Sequence, residues 1–454
     1  MTSSFRQRLS RRQLLGTAAT ATAAAFCGTG TAGGSRPSER ITLGLIGAGS
    51  RGFNLLDEVL RRDDCQVVAV CDVDEFHYRD REWGKGPPLG RRAAAERISS
   101  AYASSRSGTP ARGIQQTDDF REVISRTDVD AVLIATPDHW HAICTATAII
   151  AGKDVYCEKP VTHLFAEGRR IADLTARHRT VFQVGSQQRS DSLFRRAAEL
   201  ARNGILGELQ RAEVGLPPGY DGPQGSTQII PVPDHLNHEM WCGPSVRLPL
   251  MQARHHRWWR GHRAYGGGVL MDWIGHHNDI AHWAIGCDRS GPEEVMADKW
   301  EYPQTEIYNT PHNYTIRCRY ANGIESTISS SNQQGLKLIG TAGWVHVTRG
   351  RITASDDRWA DPSFRLGSIM LEQSDDHMGN FLDCIRSRSQ CIAPAETGHR
   401  SITPGHLAYV SAELGKPLQW DPTTETIRND ARGNEILNRL HYESPWAFPE
   451  VASG

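Results

Sequence analysis

The chain has almost no net charge: 51 basic and 52 acidic side chains leave −1 over 454 residues. It therefore lacks the electrostatic footprint of a nucleic-acid binder, and no single long basic run supplies one locally. It also lacks any stretch of about 18–20 apolar residues, the length that a permanent membrane span requires. The ten cysteines show no Cys-x-x-C and no regular spacing, so neither a disulfide framework nor a zinc module is indicated. Cys71, Cys144 and Cys157 sit in apolar runs, as small core residues do. No internal repeat of fixed period is visible. What is present, 39% hydrophobic and 23% charged, is a globular composition in a chain long enough for two domains.

The first forty residues differ in kind. Ser10-Arg11-Arg12-Gln13-Leu14-Leu15 is a twin-arginine pattern, followed by an Ala/Thr-rich apolar stretch to Phe26 and small residues from Gly28 to Ser35. This reads as an export signal of the twin-arginine type, residues 1–40, with the periplasm or cell envelope as destination. Phe26 argues against Cys27 as a lipidation site.

From Ile41 short apolar runs alternate with amphipathic stretches. Strands are expected at Ile41–Ile46, Gln66–Cys71, Val129–Ala135 and Asp154–Cys157, with helices at Asn54–Arg61 and Ala142–Ala151. Such alternation predicts an α/β fold with a doubly wound parallel sheet over residues 41–162. Phe76 to Ala111 reads as a solvent-facing insertion carrying one helix. Residues 163–454 read as an α+β domain with an open, mostly antiparallel sheet, including strands near 315–320, 324–329 and 344–348. Helices are expected at Asp376–Arg386 and from Thr403 to Leu414.

Gly47-Ala48-Gly49-Ser50-Arg51-Gly52 lies between a strand and a helix. A pyrophosphate needs close backbone approach and the N–H groups of a helix N-terminus, which this turn offers. Asp72 closes the next strand, where a carboxylate accepts hydrogen bonds from the adenosine ribose and repels a 2′-phosphate, favouring NAD over NADP.

Thr136-Pro137-Asp138-His139-Trp140-His141 and Glu158-Lys159-Pro160 follow later strands, and Gly266-Gly267-Gly268 leads to Asp272-Trp273-Ile274-Gly275-His276-His277-Asn278-Asp279. With the glycine turn, these segments in this order resemble the Gfo/Idh/MocA oxidoreductases over residues 41 to 420. The resemblance implies a Rossmann domain, a second domain for substrate and oligomer contacts, and a homodimer or homotetramer. It places Lys159 beside nicotinamide and substrate, and Asp272 with His276 as the Asp-x-x-x-His of polyol-oxidising members. Thr136, Pro137, His141, Glu158 and Gln187 are expected with Gly47, Gly49, Ser50, Arg51, Gly52 and Asp72 around the cofactor.

The residue types suit hydride transfer. A secondary alcohol that loses hydride must also lose its hydroxyl proton, and an imidazole such as His276 can take it near neutral pH. A Lys159 ammonium can stabilise the developing alkoxide, and Asp272 can orient the imidazole or bind a neighbouring hydroxyl. Lys159 with a lowered pKa is the other candidate base. Trp258 and Trp259 are candidate sugar contacts, in a loop that also holds Trp241, His255, His256 and Arg257, and His277 is another on the later Asp272–Asp279 segment; the loop's aromatics would equally cover the open sheet or an oligomer contact. The many histidines show no zinc spacing, and no metal is expected.

The expected function is NAD(P)-dependent hydride transfer to or from a secondary alcohol of a sugar or cyclitol, with NAD tightly held because the envelope offers no obvious pool to regenerate it. One alternative is a redox-neutral glycoside hydrolase or lyase that retains NAD, although the Tyr-Pro-Thr-His stretch of such relatives is missing. A sugar- or nucleotide-binding protein without turnover is another.

Overall fold

The structure is a computed structural model that describes residues 40–78, 87–104 and 113–449. The twin-arginine segment lies outside the described residues.

Six strands form the first sheet: β1 (Ile41–Ile46), β2 (Cys65–Cys71), β3 (Gln115–Thr117), β4 (Ala131–Ile134), β5 (Asp154–Cys157) and β6 (Phe182–Val184). Their order is β3-β2-β1-β4-β5-β6, and every pairing is parallel. All six residues of β1 are buried, as a central strand covered on both faces must be. Up to β6 the longer helices are α1 (Ser50–Leu60), α2 (Arg91–Ser104), α3 (Asp138–Ile150) and α4 (Phe165–His178), with a single short one at Phe120–Ile124 among the described residues. The expected parallel sheet is present, yet β6 lies beyond the boundary read at residue 162. A three-residue strand after a long helix carries too little pattern to be assigned to the preceding sheet.

After α5 (Ser192–Arg202) the chain builds a nine-stranded sheet with α6 (Gly268–Ile285) packed on it. Its strands are β7 (Leu209–Gly215), β8 (Glu294–Glu301), β9 (Asn313–Arg319), β10 (Glu325–Ser329), β11 (Gly335–Gly340), β12 (Trp344–Thr348), β13 (Arg351–Ala354), β14 (Leu418–Asp421) and β15 (Thr426–Ile427). Only β7 and β10 pair in parallel, so the mostly antiparallel expectation holds. Helix α7 (His377–Ser387) returns to the first domain, where Met378, Phe381 and Leu382 share a core with Ile41, Leu43 and Leu55. Helix α8 (Ala395–Leu414) begins well before Thr403 and runs through Pro404. Proline is readily accepted in a first turn, which is why the pattern suggests a start there; burial of nearly the whole helix overrides that cost.

The segment after Phe76 is not an uninformative insertion. His77 is buried, its backbone pairs with Leu89, and Ala94, Ala95 and Ile98 of α2 are buried.

Candidate active site

A cavity of about 400 Å³ opens where the carboxyl ends of the first sheet face the loop Gly215–Gly261 and the start of α6. One wall is backbone. Gly47 has φ +91°, and a Cβ there would lie 2.7 Å from the Ala135 carbonyl; at Gly52 it would lie 2.0 Å from the Gly47 oxygen. Nothing lies within 4 Å of a Cβ at Gly49, so the turn is tight behind and open in front. Gly47, Gly49, Ser50 and Arg51 line the cavity beside Asp72, Thr136, Pro137, His141 and Glu158. Asp72 accepts a hydrogen bond from the Ala48 amide at 2.6 Å, while burial raises its carboxyl to a pKa of about 6. These residues fit a dinucleotide: a helix N-terminus with clear space before it and an acidic strand end alongside.

His141 sits between the carbonyl oxygens of Pro160 at 2.7 Å and Thr136 at 3.0 Å, tying the turns after β5 and β4 together. Glu158 pairs with Arg51 at 2.7 Å and accepts from Gln187 at 3.0 Å. Gln187 also donates to the Tyr156 hydroxyl and does not form part of the cavity wall.

The other wall is made of side chains. Lys159 Nζ donates to Asp272 Oδ1 and to the Asp272 carbonyl, each at 2.7 Å, and Arg260 Nε lies 3.2 Å from the same carboxylate. Burial alone would raise the Asp272 carboxyl, but the Arg260 and Lys159 charges outweigh it and hold it well below the usual range. His276 stands one helical turn on, buried, with no hydrogen-bond partner at Nδ1. Burial, then the nearby Lys159 and Arg349 charges, push its imidazole far down, so it is neutral at physiological pH. It does not line this cavity. Asp138, in the first turn of α3, does; burial raises its carboxyl to about 7. Gly266 permits this closeness, since a Cβ there would meet the Trp259 ring at 2.5 Å and Asp138 Oδ2 at 3.0 Å.

Trp241, His256, Arg257, Trp259 and Arg260 also line the cavity. Trp258 does not; its ring stands edge-on to Tyr220 and under Arg257. His277 turns the other way, stacked on Phe194 with both ring nitrogens buried and unbonded, so it makes no contact with the cavity. The reason is α6 itself: His276 and His277 are neighbours on a helix and face different sides. Asp279 is held bidentately by Arg189, and His282 bonds the Tyr320 hydroxyl, both in the second domain's interior. Asp138 and Arg260 line the cavity and Arg349 acts by its charge on His276, but none of the three carries a separate sequence signal. Asp138 lay within a motif read for resemblance, Arg260 within a loop read for sugar contacts, and Arg349 in a strand turn.

Two family descriptions match in series: the NAD-binding Rossmann fold of the Gfo/Idh/MocA oxidoreductases over residues 41–186 and that family's C-terminal alpha/beta domain over 197–448. The chain belongs to the Gfo/Idh/MocA oxidoreductase family. It is 22% identical to the myo-inositol 2-dehydrogenase of Thermotoga maritima over 385 residues, covering 82% of this chain and 96% of that one. A glycosyl hydrolase family 109 protein of Streptomyces filamentosus is 31% identical over 182 residues, 38% of this chain and only 32% of the relative. Among solved structures, the WlbA dehydrogenase from Bordetella pertussis in complex with NADH and UDP-GlcNAcA superposes with a TM-score of 0.58 at 17% identity, covering 84% of this chain and 99% of that one. This family member is an oxidoreductase with an NAD-binding Rossmann domain.

Proposed function

We propose that the protein moves hydride between NAD on the Gly47–Gly52 turn and a secondary alcohol of a sugar or cyclitol set against Lys159. One observation carries this reading: the glycine turn, Asp72 and the Lys159–Asp272 pair converge on a single cavity, with His276 one helical turn beyond Asp272 on the same helix. The inositol dehydrogenase and the sugar-nucleotide dehydrogenase among its relatives support the substrate class.

Bound nicotinamide supplies the hydride acceptor or donor. The chain does the rest. Amides at the start of α1 hold the pyrophosphate, and Asp72 selects an unphosphorylated ribose. Lys159, already aimed by Asp272, donates to the substrate oxygen and stabilises alkoxide charge. His276, kept neutral by burial, takes the hydroxyl proton in oxidation and returns it in reduction. Arg260 holds Asp272 ionised, so that Lys159 keeps its orientation.

The twin-arginine segment supports export of an already folded, NAD-loaded protein to the cell envelope, where reduction and reoxidation within one cycle would remove any need for a free pool. The family 109 relative favours a second reading, in which a glycoside is transiently oxidised, loses its aglycone by elimination, takes up water and is reduced again; its match spans 182 residues, 38% of this chain. The test offers aldoses, polyols and glycosides to the protein as purified. Appearance of reduced nicotinamide supports net hydride transfer, and aglycone release without it supports the second reading. Neither product, even with NAD added, would leave only a binding role.

A further inference from the structure

Away from the hydride site, a second polar cluster joins the end of β2 to the loop that covers the cavity. Asp74, His255 and His256 bring potential ligand atoms within 4.8 Å of one another. Asp74 and His255 are buried. Among the described residues, Asp74 Oδ2, His256 Nε2 and both ring nitrogens of His255 have no hydrogen-bond partner. Burying polar atoms without partners is costly, so a cluster of them calls for an occupant.

Three further features aim this cluster at a cation. The two oxygens of Asp74 are used differently: Oδ1 accepts from the Phe76 amide at 3.2 Å and meets His235 Nδ1 at 2.8 Å, while Oδ2 is left facing His256 Nε2 at 3.4 Å. A monodentate ligand carboxylate oriented through its other oxygen has this arrangement. Neighbouring ligands of a tetrahedral ion with bonds of about 2.0–2.1 Å stand roughly 3.4 Å apart, which is the Asp74–His256 separation. His256 is also one of the few non-glycine residues at positive φ, +45°, and its ring is stacked on His77 at 3.8 Å. Left-handed backbone at an imidazole is strain, and here it turns the ring toward Asp74.

We propose that Asp74, His255 and His256 bind one divalent transition-metal ion of the zinc class, with His235 orienting the carboxylate and a fourth position left to water. Nitrogen and carboxylate donors in this number suit zinc and its first-row neighbours rather than calcium or magnesium. The ion would pin the His255–Gly261 turn to the segment after Asp72. Val73, His77 and His256 all line the cavity, so the metal would fasten the wall that closes over the Asp72 end.

The experiment uses the full chain without a histidine tag, stripped with chelator and then dialysed against zinc. Elemental analysis should find about one equivalent retained by the three protein ligands. His255→Ala and Asp74→Asn should retain none, His441→Ala should retain it, and His235→Ala should weaken binding about 10–100-fold. Because a core variant can fail to fold, the wild-type protein is also loaded with cobalt(II). Tetrahedral visible absorption, with X-ray absorption fitting two imidazoles and two oxygens, supports the site. A wild-type protein that retains no zinc, retention unaffected by His255→Ala and Asp74→Asn, or a different ligand set would overturn it.

Discussion

The two walls of the cavity are built by different means. The Rossmann wall is backbone: Gly47 and Gly52 shape a turn that nothing but glycine allows, and Asp72 follows on the adjacent strand. The opposite wall is a set of charges that acquire meaning only together. Asp272 and Asp138 both face the cavity, yet Asp272, clamped by Arg260 and Lys159, stays ionised, whereas burial raises Asp138 to about 7. A wall made of backbone tolerates changes in charge but not in volume. A wall made of coupled side chains does the reverse.

Removing the imidazole one helical turn beyond Asp272, behind the side-chain wall, should have the largest effect. His276→Ala is expected to lower kcat by about 10²–10⁴-fold with little change in dinucleotide affinity, measured by steady-state kinetics and titration. Because the wild-type imidazole is held neutral, activity should show no acid limb at the ordinary histidine pKa of about 6.5.

Asp138 offers a stability test of the same wall. Its folded pKa lies above its unfolded value, so the contribution of this group is fully present below about pH 4 and lost as pH rises through about 7, on the order of 4 kcal/mol. Thermal unfolding of the dinucleotide-free protein should fall over that window, and Asp138→Asn should flatten the dependence.

The backbone wall should respond to volume. Gly52→Ala is expected to cost about 1–3 kcal/mol, weakening NAD binding roughly five- to a hundredfold by calorimetry while leaving the Asp138 pH dependence intact. Smallest is Trp259→Phe, which should raise the sugar KM about severalfold without altering NAD affinity.

The same contrast explains what could be read before the structure. The glycine turn, the acidic strand end and the Asp272–His276 spacing are local patterns with one physical meaning each. The early parallel strands were equally legible because both faces are buried. Strand β8 was missed because its exposed side chains break the alternation, as in Asp298, Lys299 and Glu301. Arg260 against Asp272, and His255 and His256 against Asp74, are meetings between distant segments, and no spacing announces them. His77 carries no sequence signal of its own, standing at the start of a segment read as solvent-facing, although its ring is buried against His256.

A crystal structure of the protein with NADH tests the central claim most directly. The account predicts the adenosine ribose on Asp72, the pyrophosphate at the start of α1 and the nicotinamide beside Lys159. A dinucleotide lying elsewhere, or with its nicotinamide turned away from the Lys159–Asp272 pair, would contradict it.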